Sequence, residues 1–360
     1  MANKVYTDQL PGRTLVVDGE EFLFFSGTSY LGIPVNEAFR NCVLEGMARY
    51  GTNYSSSRNS NLQLRVFGEV EEYLARYAGA EAAFTMSSGY LAGQALVQAL
   101  QGSGHFIYAP NTHPALWRST TDEVIGDYDA WVGPMLRQVK DSKEEHIILV
   151  CNSLDPLKAR NHGFSWLSAL PIDKQITLIV DDSHGFGVTG EDGAGVFAQL
   201  KARLQANVQL VVASSMGKAL GIPAGVVLGD KELVDKLRHS HYFGGASPAI
   251  PAYLYAFLQC ESLFKAARQK LFSNIALFLQ HLERPNQFSY FEKYPVFGVH
   301  DHRLAAYLQE HGVIISSFRY PTPADDPITR VILSSSHREG DVLRLAELIN
   351  RYSVEQQANG

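Results

Sequence analysis

Six short apolar runs in the middle of the chain constrain its fold more than any other feature. Each run is continuously apolar, which is typical of strands that are buried on both faces of a sheet. Helical patterns lie between several of the runs, for example at Ser88–Leu100 and Val196–Ala206. This alternation predicts an α/β fold with a mainly parallel sheet covered by helices. The runs are Ala82–Ser87, Phe106–Ala109, His146–Asn152, Gln175–Asp182, Gln209–Ser214 and Ala224–Gly229.

A different pattern begins after Pro248. Ala252–Leu282 has one long helical pattern, and shorter strand-like and helix-like segments follow it, which predicts a smaller α+β domain. A chain of 360 residues is long enough for a large and a small domain. We therefore predict that residues 1–51 pack with the small domain, that residues 52–248 form the large domain, and that residues 249–360 form the long helix and the small domain. The later segments are strands at Phe288–His300, Gly312–Phe318 and Arg330–Ser335 and helices at His302–His311 and Gly340–Tyr352.

The composition argues against several classes of protein. A net charge of -6 provides no basic surface for nucleic acid or for an anionic membrane. No apolar stretch reaches the roughly 18 residues that a membrane span needs, and residues 1–19 lack an apolar signal core, so we expect a cytoplasmic protein. Cys42, Cys151 and Cys260 are too widely spaced for a metal site, and no metal is predicted. The polar tail Glu355–Gly360 is predicted to be disordered.

Lys218 lies in a turn of small residues between two of the apolar runs. An amine in such a turn is poorly solvated, which disfavours its charged form and makes it a usable nucleophile. Asp181 and His184 come at the end of the run Gln175–Asp182. A carboxylate there could keep a pyridine nitrogen protonated, while the histidine could bond Asp181 or the ring's phenolic oxygen. These groups suit a Schiff base between Lys218 and pyridoxal phosphate (PLP), although a capping Asp with a structural His is the alternative.

Three further segments are candidates for contacts with this cofactor. Ser88-Gly89-Tyr90 follows a strand and begins a helix, and a helix N-terminus of this kind can bind a phosphate. Ser88 could equally be an ordinary helix cap, but Ser215 lies three residues before Lys218 as a second hydroxyl donor. His113 follows the run at Phe106, where an imidazole could stack on the cofactor; an exposed loop histidine is the alternative.

Two other features have competing interpretations. Gly185-Phe-Gly187-Val-Thr-Gly190 matches a dinucleotide-binding pattern, but no Asp or Glu occurs between Asp192 and Asp230 to bind a ribose, so we do not favour nicotinamide binding. Arg330 begins an apolar strand, where its guanidinium could hold a substrate carboxylate or could simply lie at the surface.

Taken in chain order, these motifs resemble those of the α-oxoamine synthases, a family of fold type I, aspartate-aminotransferase-like PLP enzymes. Asp181-Asp-Ser-His184-Gly-Phe-Gly-Val-Thr-Gly190 is similar to the family's Asp-Asp-Ala-His-Gly-x-Gly-x-x-Gly. Ser215-Met-Gly-Lys218 resembles its Schiff-base lysine segment, and Ser88-Gly-Tyr90 resembles its phosphate-binding turn. The resemblance extends from about Ser26 to Leu348, which is nearly the whole chain.

The resemblance implies a PLP-dependent acyltransferase that condenses a small amino acid with an acyl-CoA, with decarboxylation, to an aminoketone. It also implies a homodimer, a ring-stacking role for His113, a substrate-carboxylate role for Arg330 and a cofactor contact from Ser153. Thr28 stands where the family usually has an Asn near the substrate. An aminotransferase or lyase on the same scaffold is the alternative activity, and a non-catalytic partner subunit is the alternative class. The amino acid and the acyl donor stay open.

Overall fold

The chain forms two compact units in a computed structural model that describes residues 6–319 and 327–358. We call one the lysine-bearing unit, which comprises residues 38–154 and 161–261. The other, the arginine-bearing unit, comprises the described residues of Met1–Glu37, Asp155–Arg160 and Ser262–Gly360. The domain boundaries at residues 51 and 248 stay predictions from the sequence.

The described residues contain the following strands and helices. The strands are β1 (Thr14–Val17), β2 (Glu20–Phe25), β3 (Ala82–Met86), β4 (His105–Tyr108), β5 (His146–Asn152), β6 (Leu154–Asp155), β7 (Arg160–Asn161), β8 (Gln175–Asp181), β9 (Val208–Ser215), β10 (Gly225–Gly229), β11 (Phe288–Ser289), β12 (Val296–Val299), β13 (Val313–Arg319) and β14 (Pro327–Ile332). The α-helices are α1 (Glu37–Tyr50), α2 (Arg65–Ala78), α3 (Gly89–Ala99), α4 (Tyr128–Asp141), α5 (Phe197–Lys201), α6 (Lys231–Arg238), α7 (His241–Gly245), α8 (Pro251–Gln259), α9 (Glu261–His281), α10 (Leu304–Glu310) and α11 (Glu339–Ala358).

The lysine-bearing unit is built on a six-stranded sheet in the order β3-β10-β9-β8-β5-β4. Strands β4, β5, β8 and β9 pair in parallel, and β10 pairs antiparallel to both of its neighbours. The central strands are buried along almost their whole length, as their unbroken runs of Ile, Leu and Val predict. The predicted α/β fold with a mainly parallel sheet is confirmed, and each of the six apolar runs forms a strand.

The arginine-bearing unit contains a mixed six-stranded sheet in the order β1-β2-β13-β14-β12-β11. His337 connects the segment after β14 to β2 through hydrogen bonds and a ring stack. Its Nδ1 accepts a hydrogen bond from the Ser334 N–H at 3.0 Å, which leaves Nε2 to donate to the Phe24 carbonyl at 2.9 Å. The imidazole stacks on the Phe25 ring at a centroid distance of 3.9 Å. Burial lowers the pKa of His337 to about 4, so this contact depends on the neutral imidazole.

Three predictions of local structure are wrong. The single helix over Ala252–Leu282 is two helices, α8 and α9, because Cys260 leaves the helical conformation with φ -110 and ψ 24. The strand predicted over Phe288–His300 is two short strands, β11 and β12, separated by a turn. The tail predicted to be disordered continues α11 as far as Ala358, and residues 359–360 lie outside the described residues.

No helix in the described part of the chain combines the length and the hydropathy needed to cross a bilayer.

Candidate active site

Three parallel strands of the lysine-bearing unit end at one edge of the sheet. Asp181, the last residue of β8, pairs in register with Asn152 of β5 and with Ala213 of β9. The Ser153 N–H then donates to the Asp181 carbonyl at 2.8 Å. Because the carboxyl ends of parallel strands meet at the same edge, the residues that follow them converge there, which is where ligands bind in open α/β sheets.

The turn at Ser88–Gly89 is pressed against the end of β9. A Cβ atom at Gly89 would lie 2.5 Å from Ser215 Cβ and 2.7 Å from Ser215 Cα. Likewise, a Cβ at Gly225 would lie 2.3 Å from the Ser88 carbonyl oxygen. Only glycine fits at both positions, so the start of α3 and the Ser215 backbone form one closely packed cradle.

Ser88 is the N-cap of α3, and its side chain accepts a hydrogen bond from the Leu91 N–H at 3.1 Å. The first N–H groups of a helix have no partner within the helix and give its N-terminus a partial positive charge. Tyr90 is 56% exposed. The capping role of Ser88 and an anion site at the same helix start are therefore compatible.

Lys218, Asp181 and His113 interact electrostatically in the lysine-bearing unit. Desolvation lowers the pKa of Lys218, while the charges of Asp181 and Asp182 oppose that shift. Desolvation also lowers the pKa of His113, which Asp181 raises and Lys218 lowers. Each of the three groups thus perturbs or is perturbed by the others, and perturbed pKa values with specific charge partners are common at functional sites.

The His113 ring is fixed by the backbone beside it. His113 Nδ1 accepts a hydrogen bond from the Ala115 N–H at 3.1 Å, so in the neutral ring Nε2 carries the proton. The preceding segment is joined to the end of β5, since Asn152 Nδ2 donates to the Asn111 carbonyl at 2.8 Å. His113 is therefore held at the same edge of the sheet as Asp181.

Two residues of this edge carry contacts that the motifs did not single out. Asp182 is completely buried, and burial raises its pKa to about 7. Its Oδ2 accepts a hydrogen bond from the Val196 N–H at 3.0 Å. Ser183 joins two strand ends: its N–H donates to Asp181 Oδ1 and its Oγ accepts from the Ser215 N–H, both at 2.8 Å. The Asp-Asp-Ser run was the available signal, but only the fold shows which members face inward.

The remaining predicted residues divide between the two units. His184 follows Ser183 and is half-buried, and Ser153 is buried. Thr28 and Arg330 belong to the arginine-bearing unit. There Arg330 is 6% exposed, its Nη1 donates to the Pro156 carbonyl at 2.9 Å, and burial lowers its pKa. Thr28 is half-buried, and its carbonyl accepts from the Tyr30 N–H at 2.9 Å.

The lysine-bearing unit fits PLP on three observations. The cradle at Gly89 and Gly225 leaves no room for a side chain and places a helix N-terminus and a hydroxyl side by side, as a phosphate requires. The half-buried Lys218 has a lowered pKa, as an amine nucleophile requires. Asp181 ends its strand within the electrostatic reach of both Lys218 and His113, where a carboxylate can pair with a ring nitrogen.

Comparison with known proteins finds relatives over nearly the whole chain. A family model described as aminotransferase class I and II matches residues 165–349. The 8-amino-7-oxononanoate synthase of Azoarcus sp. (strain BH72) is 30% identical over 96% of this chain and 91% of its own. That of Aeromonas hydrophila subsp. hydrophila is 29% identical over 97% of this chain and 90% of its own.

Solved structures share the fold at lower sequence identity. Serine palmitoyltransferase of Sphingomonas wittichii superposes with a TM-score of 0.82 at 18% identity, covering 98% of this chain and 93% of that one. The 8-amino-7-oxononanoate synthase of Francisella tularensis superposes with a TM-score of 0.71 at 20% identity, covering 93% of this chain and 99% of that one.

Proposed function

Since the chain belongs to the α-oxoamine synthase family of PLP-dependent enzymes, we propose that it condenses a small amino acid with an acyl-CoA. Carbon dioxide is lost in this reaction, and the product is an aminoketone, as in an 8-amino-7-oxononanoate synthase-like acyltransferase. The observation that carries the proposal is the placement of Lys218, Asp181 and His113 at one edge of the sheet. The homodimer, the use of CoA and the cytoplasmic location that we expected from the sequence are parts of the same proposal.

PLP, when bound, supplies an electron sink for negative charge at the α-carbon of the amino acid. Lys218 would hold its aldehyde carbon, Asp181 its ring nitrogen and His113 one face of its ring. Its phosphate would accept hydrogen bonds from the backbone N–H groups at Ser88, Gly89 and Tyr90 and from the Ser215 hydroxyl. His184 and Ser153 complete the proposed contacts.

Lys218 is the proposed base in the reaction. Once the amino group of the substrate has displaced it from the aldehyde carbon, the Lys218 amine would take the α-proton of the amino acid at Nζ. A lowered pKa favours this role because more of the amine is uncharged at neutral pH. General acid–base catalysis by a positioned side chain typically accelerates a reaction about 10²–10⁴-fold. Asp181 opposes the pKa shift of Lys218, so the balance between desolvation and this charge sets the working pH.

The other proposed roles concern binding and orientation. His113 Nε2 carries the proton in the neutral ring, so it can donate a hydrogen bond to the acyl carbonyl while the ring stacks on the cofactor. Arg330 supplies a guanidinium for the amino acid's carboxylate, and Thr28 provides a polar side chain for contact with the substrate. Arg330 keeps its charge despite burial, because a guanidinium is protonated at any physiological pH.

Thiol release tests the proposal directly. Glycine, alanine and serine would each be incubated with acyl-CoAs of several chain lengths, and free CoA and CO2 would be measured together. We expect one pair to release both in equal amounts, and we expect Lys218→Ala to abolish the release. Lys201→Ala, at an exposed lysine of α5, is the matched control and should keep full activity. Formation of a keto acid without CoA release would instead identify an aminotransferase.

A further inference from the structure

The turn that joins β6 to β7 is held in shape by Asp155. Its sequence is Asp155-Pro156-Leu157-Lys158, and an Asp followed by Pro is a typical start of a turn. Asp155 is 8% exposed, and its Oδ1 accepts hydrogen bonds from the Leu157 N–H at 2.8 Å and from the Lys158 N–H at 3.0 Å. One carboxylate oxygen therefore determines the direction of two successive peptide groups.

Arg330 contacts the same turn. Its Nη1 donates a hydrogen bond to the Pro156 carbonyl at 2.9 Å, and within residues 6–319 and 327–358 this is the one hydrogen bond of its side chain. The Phe318 ring lies against the guanidinium, with 5.6 Å between Cζ and the ring centroid. Arg330 is 6% exposed, and no carboxylate of the described residues forms an ion pair with it. Its positive charge therefore stays available for an external anion.

The Pro156 carbonyl and the Leu157 N–H belong to one peptide group. Because a peptide group is planar and almost always trans, its carbonyl and its N–H point in opposite directions. Asp155 therefore holds one end of this group, at 2.8 Å, and Arg330 is bound to the other end, at 2.9 Å. The negative carboxylate and the positive guanidinium polarise the peptide group in the same sense, so each hydrogen bond strengthens the other.

The turn packs beside the strand of Arg330. A Cβ atom at Gly298 would lie 3.6 Å from the Lys158 carbonyl oxygen, which is an ordinary van der Waals contact, and Gly298 pairs in register with Arg330. The ring of Pro156 fixes its own φ angle, which further limits how the turn can move. Without the two hydrogen bonds to Asp155, however, the peptide group after Pro156 could rotate, and the acceptor of Arg330 would turn away with it.

We propose that Asp155 is a positioning residue, which holds the peptide group after Pro156 so that its carbonyl orients the Arg330 guanidinium for the carboxylate of the amino-acid substrate. A guanidinium is planar, so a hydrogen bond at one Nη sets the plane in which its other donors can meet a carboxylate. This inference rests on the proposed function, because it needs that carboxylate as the ligand. It assigns to Asp155 a part in the affinity for the amino acid, and no part in proton transfer or in binding the acyl donor.

Three variants test this inference. Asp155→Ala removes the acceptor of the turn, whereas Asp155→Asn keeps a carbonyl oxygen that can accept the same two hydrogen bonds. Asp127→Ala is the matched control, because Asp127 Oδ1 also accepts from a backbone N–H, that of Ala130 at 3.0 Å, but lies in the lysine-bearing unit. Amino-acid binding to the PLP-loaded protein would be followed by the change in PLP absorbance without acyl-CoA, and KM and kcat would be measured for both substrates.

The expected loss is selective for the amino acid. We expect Asp155→Ala to weaken amino-acid binding about tenfold, the size of one lost hydrogen bond to a charged group, with kcat and the KM of acyl-CoA unchanged. Asp155→Asn should bind the amino acid within about threefold of the wild type, since it keeps the turn. Asp127→Ala should match the wild type in amino-acid affinity, although it loses a helix cap.

Each outcome decides the inference. Unchanged affinity in Asp155→Ala would show that Asp155 has no positioning role, and an equal loss or tighter binding in Asp155→Asn would show that its charge acts instead of the turn. Should Asp155→Ala fail to fold, Asp155→Glu keeps the charge but moves the carboxylate by one methylene, and it must show the same selective loss. If the wild type binds no amino acid, the proposed function fails and this inference falls with it. If the wild type binds one and the Asp155 variants bind it equally well, only the inference fails.

Discussion

A methyl group at Gly89 should weaken PLP binding by displacing the turn from Ser215. The new Cβ would lie 2.5 Å from Ser215 Cβ, 2.7 Å from its Cα and 3.0 Å from its N, whereas ordinary contacts begin at 3.4 Å. None of these atoms is the end of a flexible side chain, so the turn or the strand must move by close to 1 Å. Overpacking of this kind typically costs about 1–3 kcal/mol.

The effect on the cofactor follows from the same movement. Each charge-assisted hydrogen bond between the protein and a phosphate contributes about 1.5–3 kcal/mol. Losing one such bond corresponds to PLP binding that is weaker by about 10- to 100-fold. The dissociation constant would be measured by titrating PLP into cofactor-free protein and following absorbance, with thermal unfolding of the cofactor-free protein measured in parallel.

Gly68→Ala is the matched control for Gly89→Ala. Gly68 lies inside α2, and a Cβ there would have nothing within 4 Å. This variant should keep the PLP affinity of the wild type and gain up to about 1 kcal/mol of stability, since alanine is the better helix former. A Gly89→Ala protein that binds PLP as tightly as the wild type would refute the assignment of this turn to the phosphate.

Two further predictions concern pH and stability. The pKa of His337 is about 4 when folded and 6.5 when unfolded. The contribution of the neutral imidazole to the free energy of unfolding is therefore fully present above pH 6.5. It is lost as the pH falls towards 4, a loss of about 3 kcal/mol in total. His337→Asn should remove that acid-side loss in denaturant unfolding. The contribution of Asp182 to the free energy of unfolding has the opposite pH dependence. Its pKa is about 7 when folded and 3.8 when unfolded, so this contribution is lost as the pH rises from 3.8 through 7. Asp182→Asn should therefore unfold at a higher temperature than the wild type at pH 8, and an unchanged or lower midpoint would contradict this.

The sequence predicted the sheet and much of the candidate site because both depend on local pattern. Continuous apolar runs identified the six strands, and the polar residues that follow them were the candidates Asp181, Ser215 and Lys218. Parallel strands bring their carboxyl ends together whatever the rest of the chain does. The strand order then brought His113 to the same edge, which spacing along the chain alone did not show.

Other features depend on packing and carry no local signal. The break between α8 and α9 occurs at Cys260, in a stretch whose helical pattern is uninterrupted and contains no Gly or Pro. The sequence indicated Asp182 only as the residue that follows Asp181. Its complete burial depends on the turn that comes next, which folds back over it.

Reductive trapping of the cofactor tests the assignment of Lys218 most directly. Treating the PLP-loaded protein with borohydride would fix any lysine-bound cofactor as a stable amine, and peptide mass mapping would then identify the lysine. We expect a pyridoxyl group on the peptide that contains Lys218 and on no other lysine. A pyridoxyl group on a different lysine, or a protein that never takes up PLP, would contradict the account.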